Sequence, residues 1–204
     1  ASAESMTHFM LALLQDGNYE GYQMLDSATL ALMKSNAHQH HPQVNPMRYG
    51  FMDLSQNGVT VIGHGGDTFW FHSLMALLPD QETGIFFSVN TDKGGGIYMK
   101  LLEEFMDRYY PEQKSLPPPI KISKKWLLQF AGEYEVNRYP HDDITKISAL
   151  MSRVQIAAID STRLRITFGE DVSYYVPIDS TTFREEFSSE KLAFEKDKEG
   201  EVIH

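Results

Sequence analysis

The chain has 204 residues, of which 42% are hydrophobic and 12% aromatic, and its formal net charge is -10 at pH 7. This length and composition suffice for one medium or two small globular domains with ordinary hydrophobic cores. The acidic balance argues against a nucleic-acid surface, which needs clustered Lys and Arg, and the lack of cysteine excludes disulfides, thiolate metal sites and a cysteine nucleophile.

The beginning of the chain predicts two helices and then a loop. Apolar residues recur with helical spacing from Met6 to Leu14, and a second, shorter helix is predicted after the cap candidate Asp26. The segment 35–46 is polar and aperiodic, which predicts a loop. Its three histidines are His38, His40 and His41. Their spacing does not fit a metal site on a helix, so solvated loop histidines are favoured.

Two β-hairpins and a helix are predicted next. The strands of the hairpins span 49–54 with 59–63, and 71–78 with 84–89. Asn57-Gly58 lies between the first two strands and favours a tight hairpin turn. After three glycines at 94–96, the apolar stripe of the helix comprises Tyr98, Leu101, Leu102, Phe105, Met106 and Tyr109. The glycines suit a strand-to-helix turn, because no Lys-Ser or Lys-Thr follows them as a phosphate-binding loop requires.

A change of pattern divides the chain at residues 111–122. This segment contains Pro117-Pro118-Pro119, which can continue neither a helix nor a central strand and therefore predicts an extended linker. Beyond it a brief helix is predicted within 123–130. Short strands follow at 133–136, 153–159, 163–168, 172–178, 183–187 and 191–195. Their regular spacing is typical of an antiparallel meander or small barrel.

The stretch that carries chemistry is Gly63-His64-Gly65-Gly66-Asp67-Thr68, followed by Phe71-His72-Ser73 and by the strand 84–90. This series resembles the third active-site motif of the serine β-lactamase and penicillin-binding-protein-like hydrolases, in the branch with His-Gly-Gly in place of Lys-Thr-Gly. The resemblance covers about residues 1–110. A Gly-His-Gly-Gly segment by itself is often only a turn with a solvated histidine, but the matches around it favour the functional interpretation.

The resemblance implies a role for each residue of the motif. The main-chain amide of Asp67 would be an oxyanion donor. His64 would stand where a lysine usually supplies a donor to the substrate carboxylate or to the catalytic tyrosine network. Gly65, Gly66 and Thr68 would bind substrate along the strand. Trp70 departs from the commonest family pattern. Its bulk would either narrow the cleft or pack against the next strand, and packing in the core is the favoured role.

The catalytic serine of that family is absent from this chain. The family needs a serine and a lysine one helical turn apart, so that the lysine helps to activate the hydroxyl. Ser188-x-x-Lys191 has this spacing, but it follows the third motif and lies in a strand-rich region, so chance explains it better. Ser55-Gln56-Asn57 has the form of the family's second motif but is explained by turn chemistry.

The second half of the chain has a resemblance of its own. The segment 126–134, Trp-Leu-Leu-Gln-Phe-Ala-Gly-Glu-Tyr, looks like the opening of the lipocalin-like β domains often appended to these hydrolases. Such domains show no catalytic signature. His141-Asp142-Asp143 in this half is read as a solvated polar cluster rather than a metal site.

The sequence therefore predicts an α+β protein with three parts. Residues 1–110 would form a partial β-lactamase-like domain of helices on an antiparallel sheet, 111–122 a proline-rich linker, and 123–204 a small barrel-like antiparallel domain. The parent protein would be a serine hydrolase acting on an amide or ester through an acyl-enzyme, and this fragment alone would be inactive. The alternative is a noncatalytic binding module whose barrel holds a ligand or partner.

The expected partners follow from the same residues. They are a small-molecule or peptide substrate and a second copy of the chain joined through an unpaired sheet edge. No nucleic acid, membrane span, metal or cofactor is expected, since no segment approaches the roughly 20 apolar residues of a span and no ligand set converges. By resemblance alone, the parent would be a bacterial protein of the periplasm or the extracellular space.

Overall fold

The computed structural model describes residues 2–92, 96–111, 118–120, 122–135, 144, 153–188 and 190–203. The chain divides into two compact units, Ala1–Lys114 and Ser115–His204. Helices and antiparallel sheets occur together, with one sheet curled into a half-barrel, so the predicted α+β class is confirmed. Most of the predicted linker, two of the three glycines at 94–96 and the segment around His141 lie outside the described residues.

Three helices lie in the described part of the first unit: α1 (Ala3–Leu14), α2 (Ser27–Lys34) and α3 (Ile97–Tyr109). Ser2 caps α1 by accepting a hydrogen bond from the Ser5 N–H, and Asp26 caps α2 by accepting one from the Thr29 N–H. Such caps satisfy main-chain donors that the first turn of a helix leaves free. Within the described ranges, no helix has both the length and the hydropathy that crossing a membrane requires.

The strands of the first unit are β1 (Asn18–Tyr19), β2 (Tyr22–Gln23), β3 (Asn36–His38), β4 (Met47–Arg48), β5 (Met52–Asp53), β6 (Ile62–Asp67), β7 (Phe71–Leu78) and β8 (Thr83–Asn90). β1 and β2 form a small separate hairpin, and the others form one antiparallel sheet in the order β3-β4-β5-β6-β7-β8. The prediction of a loop over 35–46 is wrong at β3. All three β3 residues are exposed, so main-chain pairing makes this edge strand without an apolar pattern in the sequence.

The sheet lies between two helical layers. Met75 and Leu77 on β7 pack toward α1 and α2, whereas Leu74 and Ala76 pack toward α3. The C-terminal five residues of β7 are buried because both faces of the sheet are covered here. This explains why that end of β7 reads as a continuous apolar run rather than an alternating one.

The turn before β6 has the predicted conformation. Asn57 and Gly58 have φ angles of 53° and 69°, the left-handed pair that a tight hairpin turn requires. Ser55 and Asn57 are both used structurally, because the Ser55 hydroxyl accepts from the Val61 N–H at 3.1 Å and the Asn57 amide donates to Asp107 on α3 at 2.8 Å. These contacts with the turn and with α3 explain Ser55 and Asn57 without a role in a second active-site motif.

The second unit begins with α4 (Lys124–Leu127), which continues as a 3-10 turn over Leu128–Phe130. Its strands are β9 (Gly132–Glu135), β10 (Arg153–Ala158), β11 (Leu164–Phe168), β12 (Asp171–Pro177), β13 (Thr182–Glu185) and β14 (Lys191–Ala193). They pair antiparallel in chain order, as the regular spacing predicts. Phe130, Phe183 and Phe194 pack against one another with ring centroids 4.7 to 5.6 Å apart and form the centre of the core.

Candidate functional site

The predicted motif lies on β6 and the turn that follows it. β6 pairs with β7 in the register Gly65↔Leu74, Gly66↔Ser73 and Asp67↔His72. Because successive side chains of a strand point to opposite faces, His64 and Gly66 face the side of α1 and α2, and Gly65 and Asp67 face the side of α3. The structure therefore separates the predicted site residues into two sets on the two faces of the sheet.

The outer half of β6 has an open edge. The Thr68 N–H donates to the Phe71 carbonyl at 2.9 Å, so by the alternation of antiparallel ladders Asp67 and His72 form a pair without mutual main-chain hydrogen bonds. The N–H groups of Gly65 and Asp67 then point away from β7, toward the side on which β5 pairs with Gly63. Among the described residues, no strand pairs with β6 beyond Gly63 on that side.

His64 is exposed next to this edge. Its Nδ1 lies 2.5 Å from the Gly65 carbonyl oxygen, which assigns the proton to Nδ1 and leaves Nε2 available for another molecule. Thr68 is used differently, because its hydroxyl accepts from the Phe71 N–H at 3.1 Å and so holds the β6–β7 turn. The threonine side chain thus already has a structural role.

A polar cluster on the α3 side was not anticipated from the sequence. The Asp67 carboxylate is 2.6 Å from His72 Nδ1 and accepts from the Tyr98 hydroxyl at 2.5 Å. His72 Nε2 is 3.1 Å from the main-chain oxygen of Thr91. Both ring nitrogens of His72 face acceptors, and only the doubly protonated imidazolium can donate to both. The contact between Asp67 and His72 is an ion pair when the imidazole is protonated, and the His72 side chain is 9% exposed.

These contacts shift the titration of two groups. The hydrogen bond from Tyr98, followed by that from His72, holds the pKa of the Asp67 carboxyl below its usual value. The hydrogen bond to Asp67, together with partial burial, raises the pKa of Tyr98 to about 12. At neutral pH the cluster thus contains an ionised carboxylate and a neutral phenol.

Asp67→Ala is expected to return the pKa of Tyr98 from about 12 toward its ordinary value of 10.0, since the acceptor that favours the neutral phenol is lost. Carbon NMR of labelled tyrosine measures this titration, and Tyr98→Phe identifies the signal. The folded-state pKa is raised, so this group's contribution to the free energy of unfolding declines as pH rises from about 10 to about 12. Titration of Tyr98 near 10 in the unaltered chain would contradict the cluster.

Gly65 has a packing role in this cluster. A Cβ at Gly65 would lie 3.3 Å from the Tyr98 hydroxyl oxygen and 3.4 Å from its ring, so the glycine leaves the space that Tyr98 occupies. The sequence marks Tyr98 only as a member of the apolar stripe of α3. Its 31-residue separation from Asp67 gives no local signal of their contact.

Trp70 is exposed, contrary to the prediction from the sequence. It was predicted to pack in the core, but it is 62% exposed and lies in the β6–β7 turn beside Phe69, which is 89% exposed. The turn spans only residues 68–71, and both side chains at its tip are exposed.

Ser188 and Lys191 do not form a nucleophile pair on a helix. Ser188 follows β13, and its hydroxyl accepts from the Glu190 N–H at 3.2 Å, whereas Lys191 begins β14. His38 and His40 contact each other, with ring nitrogens 3.2 Å apart. In the described part of the chain, no three His, Asp or Glu side chains are grouped so that they could hold a metal.

Comparison with known proteins gives a likeness of fold only. No family model and no curated protein sequence matches the chain. Among solved structures, SurE aligns with a TM-score of 0.56 at 12% identity over 99% of this chain and 45% of its own. SurE with D-Leu aligns with a TM-score of 0.54 at 13% identity over 95% of this chain and 46% of its own.

A third solved structure is the octameric penicillin-binding protein homologue from Pyrococcus abyssi. It aligns with a TM-score of 0.44 at 12% identity over 95% of this chain and 42% of its own. This chain therefore spans less than half the length of each of the three structures.

Proposed function

We propose that this chain carries the substrate-binding strand of a β-lactamase-like serine hydrolase that acts on an amide or ester through an acyl-enzyme. The observation that carries the proposal is the open edge of β6 at Gly65 and Asp67. Main-chain N–H groups on such an edge pair with an extended ligand. They also stabilise the negative oxygen that forms when a serine attacks a carbonyl group.

The motif residues divide the work in this proposal. The Asp67 N–H is the oxyanion donor, and the Gly65 N–H is the ladder donor that an extended substrate meets. The exposed side chain of His64 lies on the α1 and α2 face of the sheet and presents Nε2 to a carboxylate or hydroxyl group of the substrate complex. Gly66 has no side chain, so a substrate can approach the strand closely on the face that carries His64.

The nucleophile and its lysine would come from outside these 204 residues, because Ser188 and Lys191 are not on a helix. We propose that residues 1–110 are the C-terminal portion of the catalytic domain and 123–204 an appended lipocalin-like domain. By resemblance, we place the whole protein outside the cytoplasm of a bacterium.

The 204-residue chain is expected to hydrolyse neither a chromogenic cephalosporin nor a short-chain aryl ester. Binding groups alone form no acyl-enzyme without an activated nucleophile. The check is the initial rate at high protein concentration, with Ser188→Ala as the matched control. A rate above buffer that disappears in Ser188→Ala would assign the chemistry to Ser188 and contradict the proposal.

The positive test uses the longer gene product. It should contain a Ser-x-x-Lys at the start of a helix upstream of residue 1, and intact-mass spectrometry should detect an acyl adduct on that serine. Because one similar structure contains D-Leu, a D-leucyl ester belongs in the substrate panel beside the cephalosporin and the aryl ester. An upstream sequence without this serine and lysine would instead favour a noncatalytic binding module.

Self-association is expected for the isolated chain. β8 is eight residues long, and no strand lies beyond it in the described sheet, so its free main-chain groups can pair with another copy. Light scattering after size-exclusion chromatography, at several concentrations, measures the mass. A monomer of 23.3 kDa at every concentration, with no binding of a hydrophobic dye, would show that this edge is not used.

A further inference from the structure

We propose that His72 and Tyr98 are positioning residues that hold the main-chain N–H of Asp67 toward the open edge of β6 and neutralise the carboxylate beside it. This inference rests on the proposed function for the identity of that N–H as the oxyanion donor. The positioning itself is a property of the described residues and is tested separately below.

The Asp67 side chain is held from two directions. His72 donates to one carboxylate oxygen at 2.6 Å and Tyr98 to the other at 2.5 Å. A carboxylate bound at both oxygens has little freedom of rotation, so its Cα and the adjoining peptide plane are restrained as well. This restraint matters because, among the described residues, β6 has a neighbouring strand on only one side at this point.

Both donors are themselves fixed in the fold. His72 is 7% exposed on β7, and its other ring nitrogen is held by the Thr91 carbonyl oxygen. Tyr98 lies on α3, which is held against the sheet by the fully buried Leu102 and Met106. The cluster thus joins β6, β7, the end of β8 and α3, which are rigid elements of the kind that keep a functional group in place.

Charge gives the cluster a second effect. An oxyanion at the Asp67 N–H would form close to the Asp67 carboxylate, and two negative charges at short range repel each other. When His72 is protonated, its imidazolium offsets the carboxylate charge before any substrate arrives. Preorganised compensation of this kind favours the transition state, because no groups need to reorient during the reaction.

The first test uses nitrogen-15 relaxation of the 204-residue chain. In the unaltered chain the main-chain amide of residue 67 should be ordered, with an order parameter of about 0.85. This order parameter should fall toward about 0.6 in Tyr98→Phe and in Asp67→Ala. Tyr109→Phe, an exposed tyrosine at the other end of α3, is the matched control and should change nothing at Asp67. An Asp67 amide that stays equally ordered in all variants overturns the proposal.

The second test uses hydrolysis by the longer gene product. Tyr98→Phe and His72→Gln should each lower kcat by about tenfold with little change in KM, because loss of positioning acts on the transition state more than on binding. Adding Asp67→Asn to His72→Gln should restore part of the rate by removing the uncompensated charge. A double variant no faster than His72→Gln overturns the role of charge.

The two tests separate the two claims. If the longer protein has no hydrolytic activity but the Asp67 amide loses order in Tyr98→Phe, the proposed function is wrong and the positioning of this N–H stands. If hydrolysis is present, kcat is unchanged in Tyr98→Phe and His72→Gln, and the Asp67 amide keeps its order in Tyr98→Phe, the function stands and the positioning role is wrong.

Discussion

Replacement of Gly63 by alanine is expected to destabilise the first unit by about 3 kcal/mol or more, the upper range for forcing extra atoms into a packed core. A Cβ at Gly63 would overlap the main-chain carbonyl oxygen of Met75 and would lie 3.1 Å from both Ala76 Cα and a Leu54 methyl group. The first of these atoms belongs to the neighbouring strand, so the strands must separate to admit the methyl group.

The matched control for this change is Gly66→Ala on the same strand. A Cβ at Gly66 would meet only the Ser73 hydroxyl oxygen, at 3.2 Å, and a hydroxyl group can rotate aside at small cost. Urea titration read by hydrogen exchange in the β7 peptide, residues 71–78, reports on this unit alone. Equal unfolding midpoints for the two variants would contradict the close approach of β6 and β7 at Gly63.

The second large effect concerns His64 in the longer protein that we propose carries the nucleophile. His64→Ala is expected to lower acylation efficiency by about 10- to 1000-fold, the range for removing one electrostatic or positioning contact from a preorganised site. The thermal midpoint should change little, because His64 is exposed and its ring contacts the adjoining Gly65 carbonyl group.

Pre-steady-state acylation with the aryl ester measures this effect. His41→Ala, in the loop between β3 and β4, is the control histidine and should leave the rate unchanged. A His64→Ala variant that acylates at the unaltered rate would remove the functional interpretation of the His-Gly-Gly segment. The β6 edge would then have to act without a side-chain partner.

The secondary structure of this protein could be predicted well where local signals are strong. The Asn57-Gly58 turn, the helical stripe around Leu102 and Met106, and the six strands of the second unit all appear close to their predicted bounds. Each depends on interactions within a few residues, namely a left-handed turn or the burial of one repeating face. β3 could not be predicted because its exposed residues carry no such repeat.

Trp70 shows that the burial of a side chain could not be predicted from residue type alone. Its size suggested burial, but its position at the tip of a four-residue turn leaves it exposed, and only the three-dimensional turn geometry decides this. The candidate site shows the same limit. The order of residues from Gly63 to Thr68 indicated a substrate strand, but not which side chains share a face or which N–H groups remain available.

The sequence by itself determined the α+β class, most of the hairpins and helices, and the motif on β6, because periodicity and turn residues act over short distances. The tertiary structure alone decided that Tyr98 from α3 meets the Asp67 carboxylate. It also decided that, in the described sheet, no strand pairs with β6 beyond Gly63 on the β5 side. These features depend on the packing of α3 onto the sheet and on the early end of β5, and contacts between residues far apart in the chain leave no repeating pattern in the sequence.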